Sequence, residues 1–551
     1  MRTAYLAQTI RAAEQPLLES RPGVLMQRAA AGLAAAVLGE LRRVRGRVYG
    51  ARVLLGVGSG NNGGDALYAG ERLARRGVRV LAWRTSGRVH EEAWAAFRAA
   101  GGDELDAVGA VAELGRADLV VDGVLGIGGR AGLREPVALF ARACADAGVP
   151  VVAVDLPSGL DADSCAAEIP ASAGMTGAAG MTGAAGVTGA AGVTGAAGTT
   201  GAAGVMGPAL VTGGGDGTTS AGMTGAGALG EEATVIPGLP RDLTGVGASH
   251  FTAARTVTFG GLKFCHVLQP AASACGRVEL VDIGLDLPEP DLRCWEPADV
   301  AAAWPFPDAT SDKYSRGVVG LDTGSASYPG AAVLSTLGAV HAGAGMVRFS
   351  GADAAVRLVH AAAPNVVVGA GRVQARVLGS GWGDRPDAAA VVARALDEDV
   401  ALVVDADALR HLPSGPLGER VLLTPHAGEL ARLLEASRAE VAADPIAAVR
   451  TAAARHRATV LLKGATHYVS GPDGTVSVAV PGPAWTAQAG SGDVLAGICG
   501  TLLAAGLDPR RAALAAASVQ AMTALAEPGP VSPQELARLL PGTVALLGGG
   551  V

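Results

Sequence analysis

Lysine is almost missing from this chain. Among 44 basic residues only Lys263, Lys313 and Lys463 are lysines, and asparagine is as scarce, at Asn61, Asn62 and Asn365. Codons for both are A-rich, so the composition suggests a GC-rich gene whose tolerant positions drifted to Arg or Gly. The survivors then mark places that need a carboxamide or a compact ammonium, which a guanidinium fork does not replace. A basic excess is lacking too: 51 acidic residues give a net charge of −7, which argues against a nucleic-acid partner held through its phosphates. No uninterrupted apolar run reaches the length of a membrane span. Residues 1–20 carry Arg2, Arg11, Glu14 and Glu19 and lack a secretory apolar core. The six cysteines include no Cys-x-x-Cys pair, which fits reduced, buried thiols better than zinc or disulfides. A cytoplasmic protein is expected, with no membrane partner, and a homo-oligomer is left open.

What is present is a folding chain of 551 residues, 49% hydrophobic, enough for two or three cores. Strand-like and helix-like stretches alternate: strands near 52–57, 78–83, 118–122 and 149–155, helices near 66–76 and 135–147. From Gly174 to Gly207 a glycine recurs at every third position without proline, which excludes a stable collagen helix. This tract, at about 168–250, is expected to be a disordered insertion into a domain that resumes with strands near 255–260 and 277–283. A Pro-rich connector at 287–297 leads to a second alternating region. There 317–323, 346–350, 402–405, 421–424 and 459–463 read as strands, and 330–342 and 493–505 as helices. The expected architecture is α/β, with domains at 1–290 and 298–551.

Three loops in the first half follow predicted strands, where open α/β sheets bind ligands. They are Gly58 to Asp65, Asp122 to Gly132 and Asp155 to Asp163. The first lacks the Gly-Lys-Ser/Thr of a phosphate loop and carries Asn-Asn where a dinucleotide fingerprint would not. Its glycines allow backbone to approach a phosphate. Asn62, Asp122 and Ser158 offer oxygens to a hard cation, and Asp155 is a candidate acid or base. In the second half, Gly490-Ser491-Gly492-Asp493 opens a helix and sets backbone donors beside a carboxylate. Lys463-Gly464-Ala465-Thr466 and Thr424-Pro425-His426-Ala427-Gly428-Glu429 each end a strand.

The first set of motifs, with Leu25-Met26-Gln27-Arg28-Ala29 and the segment from Thr256 to Lys263, resembles the NAD(P)H-hydrate epimerase (YjeF N-terminal) family. That resemblance implies a Rossmann-like domain interconverting the R and S hydrates of NADH or NADPH. Potassium would be held by Asn62, Asp122 and Ser158. The hydrate would lie on Asn61, Asn62, Gly63, Gly64, Asp65, Gly126, Ile127, Gly128, Gly129, Arg130, Ala131, Gly132 and Asp155, the last as a catalytic group. The second set, together with Tyr328-Pro329-Gly330-Ala331-Ala332 and Val404-Asp405-Ala406-Asp407, resembles the ribokinase-like ADP/ATP-dependent NAD(P)H-hydrate dehydratase family. Gly379-Ser380-Gly381 is a looser match. By that resemblance Ala331, Gly381, His426 and Asp493 contact the S hydrate, with Asp493 catalytic. Lys463, Gly464, Ala465, Thr466, His467 and Gly492 contact ADP or ATP, with Mg2+. Together they make a bifunctional repair enzyme. Two rivals are a ribokinase-like kinase for a small alcohol and a non-catalytic N-terminal binding module.

Overall fold

The computed structural model describes residues 1–164 and 249–549. The expected insertion lies outside them, except for Ser249 and His250. A seven-stranded, all-parallel sheet carries the first half. Its order across the sheet is Asp103–Leu105, Arg79–Arg84, Arg52–Val57, Leu119–Gly123, Val151–Val154, Arg255–Phe259 and Arg277–Val281. The central strands Arg52–Val57, Leu119–Gly123 and Val151–Val154 are nearly continuous buried runs rich in Val and Leu, as a sheet covered on both faces requires. The helices Val24–Arg45 and Asn61–Ala74 cover one face, and Val137–Asp146 the other. Among the described residues Val24–Arg45 has the length and apolarity of a membrane span. It buries Leu33, Val37 and Leu41 in this core, each worth roughly 1.5–3 kcal/mol.

The helix expected near 66–76 starts earlier, at Asn61. Two glycines in its first turn disguise it as a loop. Their lack of side chains lets the helix sit on the strand end, where a Cβ on Gly63 would lie 2.1 Å from the Gly58 carbonyl oxygen. Both glycine-rich anion loops therefore open helices.

The second sheet has twelve strands. Seven parallel strands, from Val367–Val368 at one edge through Val318–Asp322 and Ala401–Val404 to Thr459–Leu462, form its first part. Tyr468–Ser470 and Val476–Val478 continue it antiparallel. Beyond them lie Leu292–Cys294, Arg2–Tyr5 and Leu262–Lys263. The Pro-rich connector thus holds a strand, and strands from the first half extend the sheet of the second.

The helices Pro329–His341 and Ser491–Ala504 cross at backbone contact on this sheet. A Cβ on Gly338 would lie 2.3 Å from the Val494 oxygen, and one on Gly497 would lie 2.0 Å from the Ser335 oxygen. Any side chain there would separate the helices, so the two glycines set where the N-terminus of Ser491–Ala504 presents Asp493.

Candidate functional sites

The first site lies where the strand order of the seven-stranded sheet reverses, between the ends of Arg52–Val57 and Leu119–Gly123. A cavity of about 760 Å³ opens there, lined among others by Glu14, Asn61, Asn62, Asp65, Ile127, Asp155 and Lys263. Asp155 follows the strand Val151–Val154 with φ at +68°, a left-handed conformation costing about 1–2 kcal/mol for a residue with a side chain. His266 holds it there. The His266 Nδ1 accepts from the Lys263 N–H at 3.0 Å, which leaves Nε2 to donate to the Asp155 carbonyl at 2.8 Å. Asp155 Oδ1 takes the Lys263 ammonium at 2.5 Å and the Thr258 hydroxyl at 2.9 Å. Burial opposes the charge on Asp155, but the Lys263 ammonium outweighs it and holds the carboxyl below its ordinary value.

Asp65 has no such cation. Its Oδ1 is buried without a hydrogen-bond partner, and burial followed by repulsion from Asp155 and Glu14 raises its carboxyl well above the usual range. Glu14 is raised too, first by burial. One carboxyl held below its ordinary value and two held above it thus face one cavity, an arrangement suited to acid–base work.

Asn62, Asp122 and Ser158 converge below that cavity. The Asn62 amide donates to the Leu125 and Val154 carbonyls at 3.1 and 2.6 Å, which turns its Oδ1 toward Gly126. Asp122, fully buried, accepts from the Ser158 hydroxyl at 2.6 Å and the Ser158 N–H at 2.7 Å. Burial pushes its carboxyl up to about 6, against the pull of Ser158. No ammonium or guanidinium is among its hydrogen-bond partners in the described residues. An all-oxygen donor set around a buried carboxylate short of positive charge fits a hard monovalent cation.

The other predicted positions serve the loop itself. Gly63 and Gly64 are buried under it, Gly126 abuts Asn62, and Gly132 donates to the Gly159 carbonyl at 2.8 Å. Gly128, Gly129, Arg130 and Ala131 do not line the cavity.

The second site is a cavity of about 850 Å³ lined by Asp405, His426, Lys463, Gly464, Ala465, His467, Gly492 and Asp493, among others. Lys463 ends the strand Thr459–Leu462 and is tied by its N–H to the Pro425 carbonyl at 2.8 Å. Its ammonium lies 2.7 Å from Asp405 Oδ1. Asp405 also accepts from Thr424 Oγ1 at 2.8 Å and Ser380 Oγ at 2.7 Å, so the counter-ion is fixed from three sides. Burial works against the Lys463 charge, and Asp405, Glu429 and Asp493 together hold its pKa above the ordinary value. Gly492 sits against it: a Cβ there would lie 3.2 Å from Nζ.

Asp493 stands in the first turn of Ser491–Ala504, where the helix favours the anion. Burial and then the Asp405 carboxylate overcome this and push it up to about 7. A carboxyl poised there is suited to general base work near neutral pH. His426 caps the helix Ala427–Leu434: its Nδ1 accepts from Gly428 and Glu429 N–H groups at 3.0 and 3.2 Å. The neutral ring therefore carries its proton on Nε2. Ala331 and Gly381 touch each other rather than the cavity, beside the Gly324 turn where that sheet's strand order reverses. Thr466 is buried behind the cavity wall.

Comparison with known proteins finds two family matches along the chain. Residues 22–182 match the family of YjeF-related protein N-termini, and residues 319–541 match NAD(P)H-hydrate dehydratase. A bifunctional NAD(P)H-hydrate repair enzyme of Mycobacterium tuberculosis is 41% identical over 93% of this chain and 91% of its own length. Its counterpart in Mycobacterium leprae is 41% identical over 96% of each chain. The chain belongs to the bifunctional NAD(P)H-hydrate repair enzyme family. A solved ADP/ATP-dependent NAD(P)H-hydrate dehydratase of Bacillus subtilis, co-crystallised with ATP and Mg2+, aligns over 46% of this chain and 98% of its own. Its identity is 27% and its TM-score 0.44.

Within this family framework, the residue patterns missed several cavity-lining groups. Glu14 and Lys263 lie far in sequence from the loops they face, although the rarity of lysine had already marked Lys263. Gln269, which lines the second cavity from the first half of the chain, carries no motif at all.

Proposed function

We propose that the chain repairs hydrated nicotinamide dinucleotides in two steps, one in each cavity. The first cavity interconverts the R and S forms of NADHX or NADPHX. The second dehydrates the S form at the expense of ADP or ATP. The observation that carries the reading is Asp493, with a pKa near 7, sharing one cavity with Lys463 and His426.

Asp493 takes the proton from the hydroxyl on C6 of the S hydrate as that oxygen attacks the terminal phosphorus of the nucleotide, and ADP (from ATP) or AMP (from ADP) leaves as the bridging P–O bond breaks. Lys463 and the N–H groups at the start of Ser491–Ala504 bear the charge of the transferring phosphoryl. His426, whose Nε2 lies 3.3 Å from Glu429 Oε1, packs its ring against the hydrate. The ring nitrogen's lone pair then expels phosphate from C6, and loss of a proton from C5 restores the dihydronicotinamide. Mg2+, when bound with the nucleotide, supplies neutralising charge on its phosphates. In the first cavity Asp155 is the carboxylate that moves a proton at the hydrate, with Asp65 and Glu14 as donors. Asn62, Asp122 and Ser158 would hold K+, which adds positive charge beneath the ligand.

The test is to incubate purified protein with mixed R and S NADHX, Mg2+, K+ and either nucleotide, following reduced-nicotinamide absorbance. Full nucleotide-dependent recovery, faster than spontaneous epimerisation, is expected. Recovery that stalls at the S fraction would remove the epimerase assignment. No recovery, with a stable phosphorylated product from a small alcohol, would replace the whole reading by a kinase.

A further inference from the structure

Gln269 belongs to the first half of the chain, yet it lines the cavity that contains Lys463 and Asp493. Its backbone N–H donates to Thr466 Oγ1 at 3.0 Å, anchoring it three residues from Lys463 on the same strand-end loop. Its side-chain Oε1 accepts from Ser273 Oγ at 2.6 Å. That bond sets the sense of the carboxamide. With the oxygen engaged, the Nε2 group and its two N–H donors remain, and among the described residues they have no protein partner. A positioned donor lining the cavity that also holds the Lys463 ammonium calls for a ligand rich in acceptors.

We propose that Gln269 is a nucleotide-binding residue of the second site, donated by the first half of the chain. Its Nε2 donates to a phosphate oxygen or an adenine ring nitrogen of ADP or ATP, and Ser273 positions it by holding Oε1. The proposal rests on reading this cavity as the nucleotide site. It means that the second site is complete only when both halves are present.

Calorimetric titration of the full-length chain with ADP and with ATP, without hydrate, reads binding without turnover. Gln269→Ala is expected to weaken both about tenfold, the scale of one hydrogen bond to a charged group. Ser273→Ala should weaken them less, since the carboxamide keeps its donors but loses its orientation. Gln269→Glu preserves volume and replaces donors with a carboxylate, so it should weaken binding at least as much as alanine. Tripolyphosphate serves as a second probe: loss of its binding in Gln269→Ala places the contact at the phosphates, retention places it at the base or ribose. Unchanged nucleotide affinity in both Gln269 variants overturns the proposal. So does unchanged nucleotide affinity with a raised KM for the hydrate. If wild-type protein binds neither nucleotide, it is the nucleotide reading of the cavity that fails.

Discussion

Lys263 and Asp155 form a buried ion pair, Nζ to Oδ1 at 2.5 Å, with the Thr258 hydroxyl within hydrogen-bond distance of both. Removing the ammonium would leave a buried carboxylate without compensation, a loss of about 3–5 kcal/mol. Lys263→Met should therefore lower the unfolding free energy by that order in denaturant titration and abolish epimerisation. Lys263→Arg should not rescue it, because a planar guanidinium fork cannot reproduce the three short contacts of a compact ammonium. Wild-type stability in Lys263→Met would show that Asp155 is neutral in the folded protein.

Asp493→Asn tests the second site. The carboxamide keeps shape but cannot accept the hydroxyl proton, so dehydration should fall about 10²–10⁴-fold. Nucleotide affinity and epimerisation should stay near wild type. A fall of only a fewfold would assign the base elsewhere in the cavity.

The same residue predicts opposite pH trends for rate and stability. Dehydration requires the carboxylate, so kcat should rise with pH through about 7 and level off above it. Stability runs the other way. A carboxyl raised from 3.8 to about 7 binds its proton more tightly when folded, so its contribution is full below about 4 and is lost as pH rises to 7. Thermal melts across that window should slope less steeply in Asp493→Asn than in wild type. Identical slopes would show that Asp493 titrates normally.

Gly126 offers a test of the cation site. A Cβ there would stand 2.4 Å from Asn62 Oδ1, so Gly126→Ala must displace the carboxamide. Epimerisation should drop at least tenfold and lose its response to K+, while dehydration of pure S hydrate is unaffected. In wild type, exchanging K+ for a bulky organic cation should slow epimerisation alone. A K+ response that persists in Gly126→Ala would move the ion away from Asn62.

Much of the parallel framework was legible because most of its strands are short, largely apolar stretches bounded by turn residues. Arg52–Val57 and Met346–Ser350 fall at their expected limits. Arg2–Tyr5, Leu262–Lys263 and Leu292–Cys294 were not legible. Strands of two to four residues are too short for periodicity to register, and all three exist only through partners far away in sequence. Asn61–Ala74 was read late because Gly63 and Gly64 weaken helix propensity where close packing, on Gly58 and on Met26, demands them. The motif residues Asp155, Lys463 and Asp493 were visible as types at strand and helix ends. Gln269 was hidden, since only the tertiary fold brings it to its cavity.

The strand Arg2–Tyr5, seated between Leu292–Cys294 and Leu262–Lys263, changes what a genetic dissection of this chain can mean. Severing the gene at the connector would produce fragments with unpaired backbone, not two finished enzymes. The C-terminal piece would carry Val476–Val478 as a bare edge, a template for association with other chains. The N-terminal piece would keep its three strands as a fringe without a sheet to join. Complementation from two separately expressed genes would then report reassembly of a hydrogen-bonded seam, and the physical unit of inheritance is the whole polypeptide.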